Sequence, residues 1–349
     1  MKYVEWICRT LTGQLDFLCF MLDDPSRSIP VWFADLVALW NPKVRSILDA
    51  HSWEDIYTDP NISSRIVCET AHELALDALT PYSHPLAAAA LLGSTLRFGT
   101  DGAPALEEHL HSPAQIRSLG LRSTEVLHHD LSLIKACQDL SNQKTIVVRH
   151  LGPFSLTGHL IEGRALWQPR FRALMFQYPA EARTLLARSS EAIIAWAKLM
   201  KNSGVEYVYI EEPWANLIGP EDQAVFIVPW LENIVKQVPD IKFILKAPGM
   251  DGEITRFKKA GVWGWFPDLH TNAALIREQS HWSLPIVGPF DAGRLLSPLP
   301  VIHQSVGRFI ELFGPGDFIV SLSSVPLPHS DIRHLRAFVD AVKSFQVNS

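Results

Sequence analysis

The chain has 349 residues, of which 47% are hydrophobic and 19% charged, a balance that describes a folded core and excludes a disordered chain. A formal net charge of -6 argues against nucleic-acid binding driven by bulk charge. The length suits two domains of common size or one large barrel of alternating strands and helices, which needs roughly 250 residues.

From the N-terminus, residues 1–24 are apolar but interrupted by Glu5, Arg9 and Asp16. They lack the basic start, apolar run and small-residue cleavage site of a signal peptide. No stretch approaches the length of a membrane span. Asn61-Ile62-Ser63 matches a glycosylation sequon, which without an export signal reads as chance. Cys8, Cys19, Cys68 and Cys137 are scattered and form no CxxC pair. A disulfide scaffold or a cysteine zinc site is not expected, and the cysteines read as buried small hydrophobes. The expected location is the cytoplasm.

Strand-like runs then alternate with helix-like runs. The strands are expected at 29–33, 76–82, 145–150, 206–210, 243–246, 262–266, 284–287 and 318–322. They are short and continuously apolar, as strands buried on both faces of a parallel sheet are. The helices carry apolar stripes: Leu186, Ile193, Ala197 and Met200; Val225, Val228, Leu231, Ile234 and Val238; Ile302, Val306, Phe309 and Phe313; Ile332, Leu335, Val339 and Val342. Eight strands in such an alternation predict an α/β fold, a single (β/α)8 barrel over 1–349. Residues 87–143 are long for one crossover and are expected to form an insertion between strands 2 and 3, with a small hairpin near 96–98. The alternative is an open doubly wound sheet, weakened by the absence of GxGxxG and GxxxxGK[ST].

In a parallel barrel the active site lies at the carboxyl ends of the strands. Polar residues gather at almost every expected end: Asp35; Tyr82, Ser83 and His84; His150 and His159; Glu211 and Glu212; Lys246; Asp268 and His270; Asp291; Ser321, Ser323 and Ser324. Asp268 and Asp291 read equally as helix caps. His84 and His159 read also as hydrogen-bonded core histidines. Glu211 and Glu212 point to opposite faces, so at most one enters the barrel mouth. Lys246 either pairs with a carboxylate or binds an anionic substrate. HExxH, HxC and CxxC are absent, so no metal site is expected, although His84, His159 and Glu212 could converge on one. Trp32, Trp214 and Trp265 fall near the rim as apolar walls. So do many prolines, among them Pro81, Pro85, Pro153, Pro213, Pro248, Pro267, Pro289 and Pro326, which would end strands and stiffen loops.

Four segments in order resemble the uroporphyrinogen decarboxylase superfamily, which contains decarboxylases of haem synthesis and corrinoid-linked methyltransferases. They are Arg27-Ser28-Ile29-Pro30-Val31-Trp32-Phe33, then Gly152-Pro153-Phe154-Ser155-Leu156 with Leu160-Ile161-Glu162-Gly163. Next come Glu212-Pro213-Trp214-Ala215, with Gly219-Pro220-Glu221-Asp222 and Val228-Pro229-Trp230 after it. The last is Gly288-Pro289-Phe290-Asp291 with Leu295-Leu296-Ser297-Pro298. The resemblance implies a (β/α)8 barrel. It also implies departures. Asp35 and Leu39 stand where the decarboxylases carry two carboxylate-binding arginines. His84 stands for the catalytic aspartate, His159 for a tyrosine, Pro213 for a serine and Ser324 for a histidine. Decarboxylation of uroporphyrinogen is therefore not expected. The zinc methyltransferases carry HxC at the fifth strand and a cysteine at the eighth; here those places read Lys246-Ala247-Pro248 and Ser324, so zinc is not expected.

The resemblance thus implies a divergent methyltransferase-like enzyme moving a methyl group between a small donor and a corrinoid. The alternatives are a carboxy-lyase acting on another carboxylated substrate and a non-catalytic binding barrel. His84, His159, Glu212 and Lys246 are the expected catalytic residues. Trp32, Asp35, Trp214, Asp268, His270, Asp291 and Ser324 are the expected substrate-binding residues. No tightly bound cofactor is expected. The expected partners are a small substrate and a corrinoid protein, with no nucleic acid and no membrane; the reading allows a homodimer.

Overall fold

A computed structural model describes residues 28–33, 42–81, 84–98, 104–106, 110, 112–163, 169–280, 284–313, 318–326 and 330–345. Asp35, Leu39, Tyr82, Ser83, Cys8 and Cys19 lie outside them. The fold is α/β. Seven parallel strands form one curled sheet in the order β1 (Ala78–Leu79), β4 (Thr145–Leu151), β5 (Tyr207–Glu211), β6 (Lys242–Lys246), β7 (Gly264–Trp265), β8 (Ile286–Phe290), β9 (Phe318–Leu322). Helices separate successive strands from β4 onward, which parallel neighbours require.

The first expected strand, 29–33, joins through a single parallel bridge, Val31 to Val320. Trp32 N donates to Val320 O at 3.0 Å, and Val320 N to Pro30 O at 2.9 Å. On its other side Asp77 N donates to Val31 O at 3.0 Å. Val31 N, in turn, donates to the Asp77 carboxylate at 2.7 Å, which Lys343 Nζ also reaches at 3.0 Å. This segment therefore touches both the last strand and the entry to the first.

Two layers of apolar contact follow from strand parity. Trp32, Ala78, Val147, Tyr207, Tyr209, Ile244, Phe266, Val287 and Ile319 cluster by themselves, inside the curl of the sheet. The residues between them join the larger core under the helices, for example Val148, Val208, Ile210, Phe243 and Leu245. Both faces of the strands are thus buried, which is why they carry no alternating pattern.

Between β1 and β4 the described residues include a 3-10 turn Ala87–Leu92 and an antiparallel pair, β2 (Leu96–Phe98) with β3 (Pro104–Leu106). Helices Pro113–Ser118 and His128–Leu140 follow. Cys68 and Cys137 are buried here, where helix Pro60–Glu73 packs on His128–Leu140.

Several elements differ from their sequence reading, and the expected strands 76–82 and 262–266 shorten to Ala78–Leu79 and Gly264–Trp265. The expected strand 284–287 continues to Phe290 through Pro289. Pro289 has no N–H to give, but β7 pairs with β8 only at Trp265 and Ile286, so the ladder on that side has already ended. The single stripe from Val225 to Val238 belongs to two helices, Pro220–Phe226 and Val228–Gln237. They break at Ile227 (φ -120, ψ -59) ahead of Pro229, and Val225 is exposed.

Candidate active site

The inner face of the sheet turns polar at the carboxyl ends of its strands. Two residues beyond Val147 comes Arg149, beyond Tyr209 comes Glu211, and beyond Ile244 comes Lys246. Parity therefore sends these three side chains to the same inner space as the aromatic cluster. They meet there. Arg149 Nη2 donates to Glu211 Oε2 at 2.5 Å, and Lys246 Nζ stands 3.3 Å from Glu211 Oε1. Lys246 also donates to Ser323 O at 3.3 Å and lies over the Phe266 ring, 4.7 Å from its centroid. Burial alone would raise the Glu211 carboxyl, but the charges of Arg149 and Lys246 outweigh it and hold the group below the usual range. Trp32 Nε1 donates to Thr80 Oγ1 at 2.9 Å, and its ring meets Tyr209 edge-on at 5.5 Å. Ser321, on the inner face of β9, is fully buried, and its hydroxyl finds no partner among the described residues.

Glu212, one residue on, faces the other way. Its Oε1 accepts from Phe154 N and its Oε2 from Ser155 N, each at 2.8 Å. These are free amides of the first turn of helix Pro153–Glu162, whose own cap residue, Gly152, has no side chain to offer. Glu212 is thus a cap supplied from the neighbouring strand. The approach is so close that a Cβ on Gly152 would lie 2.3 Å from Glu212 Oε1. Burial pushes the Glu212 carboxyl up to about 7, although contacts from Ser155 and the Phe154 amide pull it back part of the way.

The histidines form a second group beside the mouth. His84 Nδ1 accepts from Leu86 N at 3.0 Å, so its proton, when neutral, is on Nε2. His159 Nδ1 can donate to Gly163 O at 2.9 Å, which leaves Nε2 as an acceptor. Burial lowers both, and His84 is lowered further by the charges of His150 and His159. Both are neutral near pH 7. Tyr57, from helix Trp53–Thr58, connects the groups: its ring lies 6.0 Å from the His84 ring, and it feels the charge of Arg149. Trp214 packs on His159 at 4.6 Å between ring centroids. His150 belongs to the helix layer: Nδ1 meets Leu151 O at 2.6 Å, Nε2 accepts from Ala88 N at 3.0 Å, and burial lowers it to about 4.

The structure therefore places Lys246 and Trp32 on the inner side of the sheet and His84, His159 and Trp214 in a group linked to it through Tyr57, while Glu212 caps a helix. Asp291 accepts from Gly293 N at 2.9 Å and Asp268 from Leu269 N at 2.8 Å, both as local turn caps. His270 and Ser324 are exposed, and Ser324 donates to Val325 O. Asp35 lies outside the described residues. Among the described residues no three His, Cys, Asp or Glu side chains stand together to hold a metal. At the places where the resemblance puts zinc ligands, Lys246 is a cation engaged with Glu211 and Ser324 a lone hydroxyl, a donor set unsuited to zinc. Arg149 and Tyr57 were not singled out from the sequence. Counting by two from the apolar Val147 finds the first; nothing in a six-residue helix finds the second.

A family profile described as Uroporphyrinogen decarboxylase (URO-D) matches residues 13–345. The chain belongs to the uroporphyrinogen decarboxylase family. A protein named "Uroporphyrinogen decarboxylase" from Flavobacterium johnsoniae is 24% identical over 320 residues, covering 90% of this chain and 94% of its own. A namesake from Salinibacter ruber is 22% identical and covers 91% and 92%. Among solved structures, a methyltransferase from Methanosarcina mazei superposes with a TM-score of 0.78 at 17% identity, over 93% of this chain and 96% of that one. A putative vitamin-B12 independent methionine synthase from Listeria monocytogenes reaches 0.57 at 14% identity, over 90% and 98%. At such identities these two show a shared fold. Family membership agrees with the four resembling segments and with a TIM-barrel-like sheet. Members of the family are enzymes, decarboxylases and methyltransferases alike.

Proposed function

We propose that this chain is a methyltransferase-like enzyme of the uroporphyrinogen decarboxylase superfamily, moving a methyl group between a small donor and a corrinoid carried by a partner protein. The observation that supports this reading is the pairing of two neutral imidazoles of opposite character beside an aromatic, cationic mouth. His84 presents a donor at Nε2 and His159 an acceptor at Nε2. A heteroatom that loses a methyl group gains electron density; the Nε2–H of neutral His84 can stabilise it by a hydrogen bond, while the proton itself comes from solvent. The corrinoid would supply the methyl-carrying centre; the chain's own residues would bind and orient the donor and hydrogen-bond its departing heteroatom. Trp214, partly buried and packed on His159, gives an apolar wall.

Decarboxylation of uroporphyrinogen fits less well. Arg149 and Lys246 both engage the Glu211 carboxylate, which offsets part of their charge and leaves too little for a substrate with many carboxylates. A carboxy-lyase acting on a smaller acid is the second reading, favoured by those same cations. A cation that grips the departing carboxylate stabilises the ground state, however, and opposes release of carbon dioxide. The test is incubation with a panel of methylated amines, ethers and thioethers together with reduced corrinoid. A change in the corrinoid visible spectrum with at least one donor is expected. A silent spectrum with carbon dioxide released from small acids would replace this reading by the lyase, and silence in both by the non-catalytic barrel.

A further inference from the structure

Among the described residues, two free cysteines meet away from the mouth. Spacing puts Cys68 on the buried face of helix Pro60–Glu73, together with Ser64 and Ala71. Cys137 continues the buried stripe of Asp130, Leu133 and Ile134 on helix His128–Leu140. The two helices pack together, and the cysteines meet at their contact. The Cys68 thiol stands 3.9 Å from Cys137 O, and the Cys137 thiol donates to the Cys68 sulfur. Lys144, just ahead of β4, donates to Leu76 O at 2.5 Å, and its charge reaches Cys68 from the amino ends of the strands.

The two sulfurs are not equivalent. Cys137 is fully buried, whereas Cys68 keeps an exposure of 9%. The Cys137 thiol, helped by the charge of Lys144, holds the Cys68 thiol below its usual range despite burial. Cys137, the donor of that bond, is held above its own. A cysteine beside a cation and with some access is the one that forms a reactive thiolate.

We propose that Cys68 and Cys137 are a peroxide-oxidisable pair, in which Cys68 reacts first and Cys137 closes a disulfide that clamps helix Pro60–Glu73 to helix His128–Leu140. The Cys68 thiolate attacks one oxygen of the peroxide; an S–O bond forms, the O–O bond breaks and hydroxide leaves. The Cys137 sulfur then attacks the Cys68 sulfenic acid; the S–S bond forms, the S–O bond breaks, and the oxygen leaves as water with the thiol proton. Both sulfurs are oxidised and the peroxide is reduced to water. The bond joins residues 69 apart in the chain, so it restricts the unfolded chain and stabilises the fold. This clamp is separate from any reaction at the mouth and is read without turnover.

The folded full chain is treated with hydrogen peroxide, blocked with N-ethylmaleimide and digested without reduction. Mass spectrometry should find a crosslinked peptide pair joined through Cys68 and Cys137 and split by dithiothreitol. The Tm should rise by several degrees on oxidation and return on reduction. Cys68→Ala and Cys137→Ala should each lose the crosslink and the Tm change. With dimedone present during oxidation, Cys137→Ala should be labelled at Cys68, and Cys68→Ala should carry severalfold less label at Cys137. Circular dichroism shows whether the variants fold; the wild-type crosslink and its reversible Tm decide without them. Absence of the crosslinked peptide, its formation only in urea, a preferred pairing of either residue with Cys8 or Cys19, or a Tm indifferent to oxidation would overturn the clamp. Stronger dimedone labelling of Cys137 than of Cys68 would overturn the order of attack.

Discussion

The two adjacent glutamates show how one residue's position decides its task. Glu211 enters the charged row at the mouth, and Glu212 satisfies two amides of helix Pro153–Glu162. Glu212→Ala would leave both amides buried without acceptors, at a cost of about 1–3 kcal/mol for each. Gly152→Ala alone should cost about 1–3 kcal/mol through the clash with Glu212, since its φ of -72 suits alanine. In the Glu212→Ala background the same change should cost little, because the space is then open. Urea unfolding of the four proteins measures this cycle; additive costs would sink the argument. The residue scale was also where the sequence was least legible. Tyr207, Val208, Tyr209 and Ile210 are all buried, so nothing local says which glutamate faces inward. Lys246 and Trp32 could be chosen because each lies on a strand whose end was clear. Arg149 was hidden in a strand read as continuously apolar, and Asp268 and Asp291 could not be told from caps until their turns were seen.

At the scale of elements, the segment 29–33 depends on Asp77. Its carboxylate accepts from Val31 N and from Lys343, tying the segment both to β1 and to helix Ile332–Ser344. Asp77→Ala removes the acceptor from a buried amide and should lower stability by about 1–3 kcal/mol. Asp77→Asn, which keeps an acceptor oxygen, should lose less. Denaturant midpoints for the pair check the order; equal losses would mean that the carboxylate acts only as a charge. Most elements were legible because burial on two faces makes strands continuous and burial on one makes helices striped. The 186–200 and 332–342 stripes are buried or half-buried as expected. The differences have local causes: Pro289 reads as a stop, but its missing N–H faces a ladder already ended, and Pro229 divides what reads as one stripe.

For the whole molecule, buried acids and buried histidines pull stability in opposite directions. Burial raises Asp130 to about 7 from 3.8. Between those values the unfolded chain releases a proton that the folded one keeps, so this group's contribution falls as pH rises toward 7. His150, lowered to about 4 from 6.5, does the reverse: the unfolded chain takes up a proton that the folded one refuses, and stability falls as pH drops through that window. Asp130→Asn removes the first slope. Its Tm relative to wild type should rise between pH 5 and pH 8, by an amount worth up to a few kcal/mol; an unchanged difference at the two pH values would contradict the burial argument. The doubled glutamate bears on the molecule's folding as well. A slip of β5 by one residue would place Glu212 at the mouth and Glu211 at the helix, the same chemical group in each position. Charge therefore gives this strand no signal of its correct register. Shape must give it instead, through Tyr207 and Tyr209 filling the inner space that the smaller Val208 and Ile210 would leave part empty.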